Sequence, residues 1–386
     1  MEETDANAGG DSLGSTGPWW WTETKQLFAL AVPTTIVNLG LFMPQANTAS
    51  YVGRKLGTEA LDGFTLGNLV ANIFALSVLW GLFTANDTLS PQAFGARNYG
   101  EVGLLAIRGF IIGMIVIVPI NIILFFTLEP VLLALGQPAG PAAMAAEYYN
   151  VYMLGLPFFV LYNMAWKFLA AQEITKPLMI VFGISCVFVL PVSLWLFVDW
   201  LGLVGSAVAL DLFIVAQALL LVGYLAIWEP HHPGTWQGMS QWRKAMAWEP
   251  VRTYLVLGFG GMLASMEWLY WECFILVVGS FGVISLAIQT IVVQLIMVVW
   301  MIPLSTGLAI SVRIGVNIAE SGTLARRFAF WMTVGTMVLH TAVGVLIHVF
   351  RKGIFMLFTD DEDVIAVRRK KGKRDLVWSF GFRPVM

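Results

Sequence analysis

Glu267 and Glu272 stand inside residues 254–280, a stretch otherwise made almost wholly of apolar and aromatic side chains. An ionised acid at the centre of an apolar helix costs roughly 2.5–3.5 kcal/mol on insertion scales. A carboxyl group placed there is suited to binding a cation or trading a proton, because desolvation favours its neutral form. Five residues along a helix turn through about 140° beyond a full circle, so the two acids cannot share one narrow face. One can face an internal cavity while the other faces a neighbouring helix. A structural hydrogen bond between helices is the competing reading. Trp268, Tyr270, Trp271 and, further on, Trp300 offer ring faces for cation–π contact.

Other polar residues in apolar surroundings extend the set. Gln289 and Gln294 in the following run are candidates to line the same cavity. Asn38, Gln45, Asn47, Asn68 and Asn72 are candidates to line it from the N-terminal side. The plain alternative for these amides is interhelical hydrogen bonding, worth about 0.6 kcal/mol each. Asp211 sits in an apolar run with no basic residue near it in sequence, where pairing, packing and transport are all open readings. Asp87, Gln92 and Arg97 suggest a gate or a helix-end charge pair, against a solvated loop. Lys167 is expected to reach the membrane interface, and His340 and His348 to be packed or interfacial. Two cysteines, Cys186 and Cys273, lie in apolar runs and cannot form a disulfide framework. Four histidines, with His231 and His232 adjacent, argue against a buried metal centre, and no cofactor is expected. No nucleophile–base constellation stands at helix depth, so an enzyme is not expected.

The elements that must position these groups are membrane helices. Apolar residues make up 58% of the 386, charged residues only 12%, and the mean hydropathy is +0.77. Soluble domains carry about twice that charged fraction. Net charge is −2, with no block basic enough to read as a nucleic-acid surface before residue 368, and no nucleic-acid partner is expected. Apolar segments of spanning length run over 27–51, 62–85, 103–128, 144–170, 177–198, 202–228, 254–280, 282–309 and 324–349. Pro33, Pro44, Pro119, Pro157, Pro191 and Pro303 fall within them and predict kinks, tolerated where neighbours or cavity water satisfy the freed carbonyls. Residues 1–24 form an acidic, Gly/Ser/Thr-rich leader expected to be disordered, closing on the Trp19–Trp21 anchor.

Loop charges orient the chain. With the leader cytoplasmic, that side collects Lys25, Arg97, Lys176, Arg243, Lys244, Arg252, Arg313, Arg326 and Arg327, against Arg54 and Lys55 opposite. Nine spans would place the basic stretch from Arg368 to Arg374 outside, against the same rule, so the tail breaks the pattern. The chain also echoes itself: Val52-Gly53 closes the first span and Val278-Gly279 the seventh. Spans one to three correspond to spans seven to nine, which implies two six-helix lobes with the second one partial.

Several strings together resemble the multidrug and toxic compound extrusion (MATE) family. They are Val52 to Leu61, Asp87 to Ala96, Leu169 to Gln172 with Pro177, Met266-Glu267-Trp268 with Glu272, Ser311 to Gly315, and Phe358 to Val364. Their order matches the family over about residues 27 to 367. The chain departs from it at Pro91, Ala170, Lys167 (usually Arg) and after Gly315. The resemblance also implies a Glu where Gln294 stands in many animal members, and three further helices beyond Val367. A truncated or frame-shifted gene is therefore the expectation.

The expected fold is an all-α polytopic membrane protein, a two-lobe inverted V. Its segments are a leader (1–24), a complete six-helix lobe (25–228), a cytoplasmic amphipathic linker (229–253), a partial lobe of about three helices (254–367) and a basic tail (368–386). The resemblance implies export of organic cations in antiport with H+ or Na+, by a monomer in contact with membrane lipid. Plasma and vacuolar membranes are not distinguished. A lipid-linked oligosaccharide flippase of similar architecture, or a non-functional truncated product, are the alternatives.

Overall fold

The computed structural model describes the backbone of residues 19–40, 43–279, 283–318 and 322–356. Side chains are described for 24–38, 40, 43–266, 270, 299–316, 326–346 and 349. All regular elements among these residues are helical. The first apolar run forms α1 (Trp19–Gly40) and α2 (Met43–Leu56). The second forms α3 (Thr58–Val70) and α4 (Ser77–Gly95), joined without a break by one π-helical turn at Ala71–Leu76. α5 (Tyr99–Ala134), α6 (Ala139–Tyr152) and α7 (Leu156–Ala170) follow. The fifth run is α8 (Lys176–Ile184), a π turn at Ser185–Val189 and α9 (Leu190–Leu201). α10 (Leu203–Trp228) completes the first half. A short α11 (Trp242–Ala245) lies in the connection to α12 (Trp248–Gly279), α13 (Val283–Ile318) and α14 (Gly322–Met356).

Seven helices among the described residues are long and apolar enough to span a membrane, and the bent pair α6–α7 makes an eighth. The remaining expected span, 254–280, lies on α12, whose side chains from 271 onward fall outside the described residues. This is an all-α, multi-pass membrane protein.

Among the described residues, two of the six prolines expected to kink the spans adjoin an irregularity, through two physical effects. Proline has no N–H to donate and its ring presses on the carbonyl one turn back. α6 and α7 meet at 50° just ahead of Pro157. The π turn at Ser185–Val189 immediately precedes Pro191, which widens the helix rather than breaking it. Pro119 and Pro303 sit inside α5 and α13, which run on through them.

The main core is drawn mostly from α3 to α7, α9 and α10, with Leu79, Phe83, Tyr148, Leu156, Val160 and Leu190 fully buried in it; Val37, Val52, Phe182, Val251 and Tyr254 join it from α1, α2, α8 and α12. A smaller cluster built on Phe168, Leu169, Leu178 and Leu221 closes one end of the same bundle. A third joins Leu27, Leu30 and Ala31 of α1 to Ala309, Ile310 and Val312 of α13 and Phe328 of α14. The side of the molecule holding the turns at 96–98, 171–175 and 229–247 carries Arg97, Lys176, Arg243 and Lys244, and is called the basic side below.

α4 is the helix on which the second half rests. It packs against both α12 and α13, and glycine makes the approach possible. A methyl group on Gly81 would overlap the backbone of Met262, and one on Gly261 the hydroxyl of Thr84. Towards the basic side, one on Gly95 would strike the Val316 carbonyl, and one on Gly315 would lie 2.6 Å from Pro91. Small residues let membrane helices touch backbone to backbone, where dispersion replaces the missing hydrophobic drive.

Candidate functional site

The seam between the two halves gathers polar side chains as well as glycines. Asn38 of α1 is buried and donates to the Ser305 hydroxyl of α13 at 2.8 Å; Ser305 in turn donates to the Met301 carbonyl at 2.6 Å. Ser311 of α13 donates to the backbone carbonyl of Asp87 at 3.4 Å. The Asp87 carboxylate itself accepts both contacts from the Lys167 ammonium, at 2.6 and 2.7 Å. At the basic end, Arg313 of α13 is buried and donates to the Glu173 carboxylate in the turn between α7 and α8. Glu173 holds φ +63°, a left-handed backbone conformation uncommon for a side chain other than glycine.

A second polar group sits beside this seam, where α12 meets α4 and α5. Arg108 is fully buried, with its Nε donating to the Ala245 carbonyl at 2.7 Å and Nη1 to Glu101 at 3.0 Å. Asn86 donates to the Leu105 carbonyl at 3.3 Å. Its Oδ1, the Arg108 Nη2 and the Tyr254 hydroxyl are buried with no partner among the described residues. A Cβ on Gly109 would lie 2.9 Å from both Asn86 Oδ1 and the Tyr254 hydroxyl, so these two atoms border one small space. Polar atoms arranged so, donors facing an acceptor, are what an internal water bridges.

The residues singled out from sequence fall into three groups. Glu267 and Glu272 lie on the unbroken helix α12, and Gln289 and Gln294 on α13, but their side chains, like that of Trp268, lie outside the described residues. Asn38 and Asp87 are at the seam, as above. Asn68, Asn72 and Asp211 are inside the first half. Asn68 is buried and accepts from Tyr148 at 3.4 Å, while Asn72 is half-buried in the π turn. Asp211 faces the break between α6 and α7. Its Oδ1 is buried against the Gly155 backbone, where a methyl group would collide with it, and the Gly155 backbone is its nearest polar neighbour among the described residues. Tyr148 and Tyr152 stack next to it, 5.7 Å apart. Gln45 is half-buried, and Asn47, Gln92 and Tyr270 are exposed.

One expectation changes. Lys167, in the last turn of α7, is held by Asp87 with only 15% of its side chain exposed. Asp87 therefore does not pair with Arg97, which is exposed on a turn with φ +58°. His340 is half-buried with Nδ1 2.6 Å from the Thr336 carbonyl, and His348 lies outside the described side chains. Sequence reasoning missed Arg108, Tyr254 and Glu173 as structural centres. One signal was available: Glu101 and Arg108 are seven residues apart, two helical turns, on one face of a single helix.

The MatE family model matches residues 33–195 and 262–370. The chain belongs to the MatE family. Over 350 residues it is 30% identical to "Multidrug and toxin extrusion protein 1" of Xenopus tropicalis, covering 90% of this chain and 60% of that protein. It is 31% identical over 352 residues to "Multidrug and toxin extrusion protein 2" of Oryctolagus cuniculus, covering 90% and 57%. This MatE chain thus spans about 60% of the length of the curated relatives it matches. Among solved structures it resembles the eukaryotic MATE transporter AtDTX14 at a TM-score of 0.77, with 22% identity and coverage of 90% and 77%. A MATE structure in the bent conformation aligns at a TM-score of 0.79, with 19% identity and coverage of 89% and 76%. A Pyrococcus furiosus MOP superfamily transporter aligns at 0.76, with 20% identity and coverage of 88% and 75%. At these identities the structures speak for the MatE fold.

Proposed function

We propose that this chain takes part in exporting amphipathic organic cations across a membrane in exchange for H+ or Na+, with Glu267 as the coupling carboxylate. The observation that carries the reading is the position of Glu267 and Glu272 on α12, the helix whose first part is locked against α4 through Gly81, Gly258 and Gly261. A cation-binding group on that helix senses, and biases, how the two halves meet. Names of relatives at about this identity point the same way. If proton and organic cation compete for one carboxylate, neither crosses without the other's gradient, and a few directional bonds in an apolar cavity give broad specificity.

The proposal places the leader in the cytoplasm, residues 25–228 as one lobe, 229–253 as a linker and 254–367 as part of a second lobe. Gln289 and Gln294 complete the coupling site, with Glu272 in support. A flippase for pyrophosphate-linked sugars would keep basic side chains free in its cavity. Here Arg108, Lys167 and Arg313 are each held by a carboxylate, which favours the cation reading.

The test is gradient-driven uptake of a cationic dye into vesicles holding the chain, with pH and sodium gradients imposed separately. Glu267→Gln keeps volume and hydrogen bonding but cannot exchange a proton, so uptake falls about tenfold or more, equivalent to at least 1.4 kcal/mol. Glu272→Gln weakens uptake less. Asp211→Asn changes thermal stability more than coupling. An unchanged rate and pH dependence in Glu267→Gln removes the carboxylate mechanism.

A further inference from the structure

A groove of about 510 Å³ opens sideways at the basic side, away from the seam's coupling helix. Its walls are Ala29 and Leu30 of α1 and Ile180 and Val181 of α8. Ile180 is exposed along it, so the trough presents hydrocarbon at the depth of the spans. Its mouth is polar and cationic. Lys176 is exposed there beside Gln26, at the first residue of α8, which begins with no side-chain cap. Pro177 has no N–H and the Leu178 N–H is taken by the Thr175 carbonyl, so the positive end of the helix dipole adds only modestly to the Lys176 charge in favouring an anion. Glu173 also lines the mouth, but its charge is taken up by Arg313. Tyr224, half-buried, closes the groove from α10 and stacks on the exposed Trp228, an aromatic pair of the kind that marks a membrane–water interface.

We propose that this groove binds an anionic glycerophospholipid from the leaflet on the basic side, phosphate at Lys176 and Gln26, one acyl chain along Ala29, Leu30, Ile180 and Val181. The charge of the mouth selects the headgroup, and the apolar trough running from it into the spans accommodates a chain that a soluble phosphate compound lacks. Because Glu173 forms both a wall of the groove and the partner of Arg313, the lipid sits one residue from the contact between α13 and the first half. Occupancy adds negative charge there and so adjusts how firmly the halves hold at this end. The inference does not depend on the transport reading.

Lipid retention by the purified full chain tests it, read by native mass spectrometry after exchange into vesicles of phosphatidylglycerol mixed with phosphatidylcholine. The unsubstituted chain keeps phosphatidylglycerol in preference. Lys176→Gln lowers that preference about fivefold, the factor one basic residue contributes near an anionic surface, and leaves phosphatidylcholine retention unchanged. Ala29→Trp fills the trough and lowers retention of both lipids. Lys55→Gln, on the far side, changes neither. Lys176 is exposed, so its substitution leaves folding intact, and thermal unfolding verifies this for each variant. Undiminished preference in Lys176→Gln, or undiminished retention in Ala29→Trp, overturns the site. Displacement of the lipid by millimolar glycerol phosphate would show that the headgroup alone binds and would overturn the acyl-chain part.

Discussion

Between α4 and α12 the backbones touch, and Gly81 and Gly261 leave no room for a methyl group; on α14, a methyl group on Gly335 or Gly344 would meet nothing within 4 Å among the described residues. Half of the most apolar stretch of 58–95 is buried, whereas none of the corresponding stretch of 326–346 is. Both helices are apolar and both are long. The difference lies in what surrounds them: α4 is enclosed by α5, α12 and α13, while α14 presents Phe330, Trp331, Met337 and Val338 outward. Hydropathy therefore reports that a helix lives in the membrane and says little about how much of it the described residues cover. In lipid an apolar face is comfortable against either neighbour, so small residues and polar cross-links, not hydrophobicity, mark the interface.

That contrast is easiest to break at a glycine. Gly261→Leu forces α12 away from α4 and lowers stability by about 3 kcal/mol or more, whereas Gly335→Leu leaves it unchanged; thermal unfolding in matched detergent compares the two. Equal effects would mean that the seam is not the tighter interface.

The ion pair in the interior comes next. Lys167→Met leaves the partly buried Asp87 carboxylate uncompensated and costs about 3 kcal/mol. Adding Asp87→Asn restores most of the loss, since the orphaned charge is then gone. A double mutant no more stable than Lys167→Met alone would show that packing of the lysine stem, and not charge, is what matters.

A smaller effect is expected at Asn38. Removing its hydrogen bond to Ser305 with Asn38→Ala costs about 1 kcal/mol, and Ser305→Ala adds little more in the double variant. Full additivity in that cycle would deny the Asn38–Ser305 hydrogen bond between α1 and α13. Smallest of all, Val338→Ala on the outer face of α14 shifts stability by less than about 0.5 kcal/mol; a larger loss would reveal a packing partner on that face.

Much of the architecture was legible in the chain itself. Runs of about twenty apolar residues can only be helices in lipid, because each backbone N–H and C=O must find its partner within the segment. A kink was expected at Pro157 and Pro191, where the bend and one π turn lie, since a missing N–H is a local fact, but the same signal at Pro119 and Pro303 accompanies continuous helices. The strings from Val52 to Val364 placed the chain in its family for a similar reason: order along a sequence needs no folding to be read. Glu267, Glu272 and Asp211 stood out as acids in apolar runs, because the cost of burying a charge is carried by the residue type.

Which polar groups meet was decided only in three dimensions. Asp87 lies 80 residues from Lys167, Asn38 lies 267 from Ser305 and Glu173 lies 140 from Arg313. Nothing in their local sequence distinguishes a solvated charge from a paired one. Lys167 reads as an unpaired helix-end lysine until the packing of α4 on α7 brings Asp87 to it. The glycines behave alike: Gly261 and Gly335 are equivalent in composition and opposite in surroundings. A side chain's partner depends on which helix faces come together, and those are chosen by the packing of the whole bundle; its cost of burial depends on its own chemistry, and that is written in the sequence.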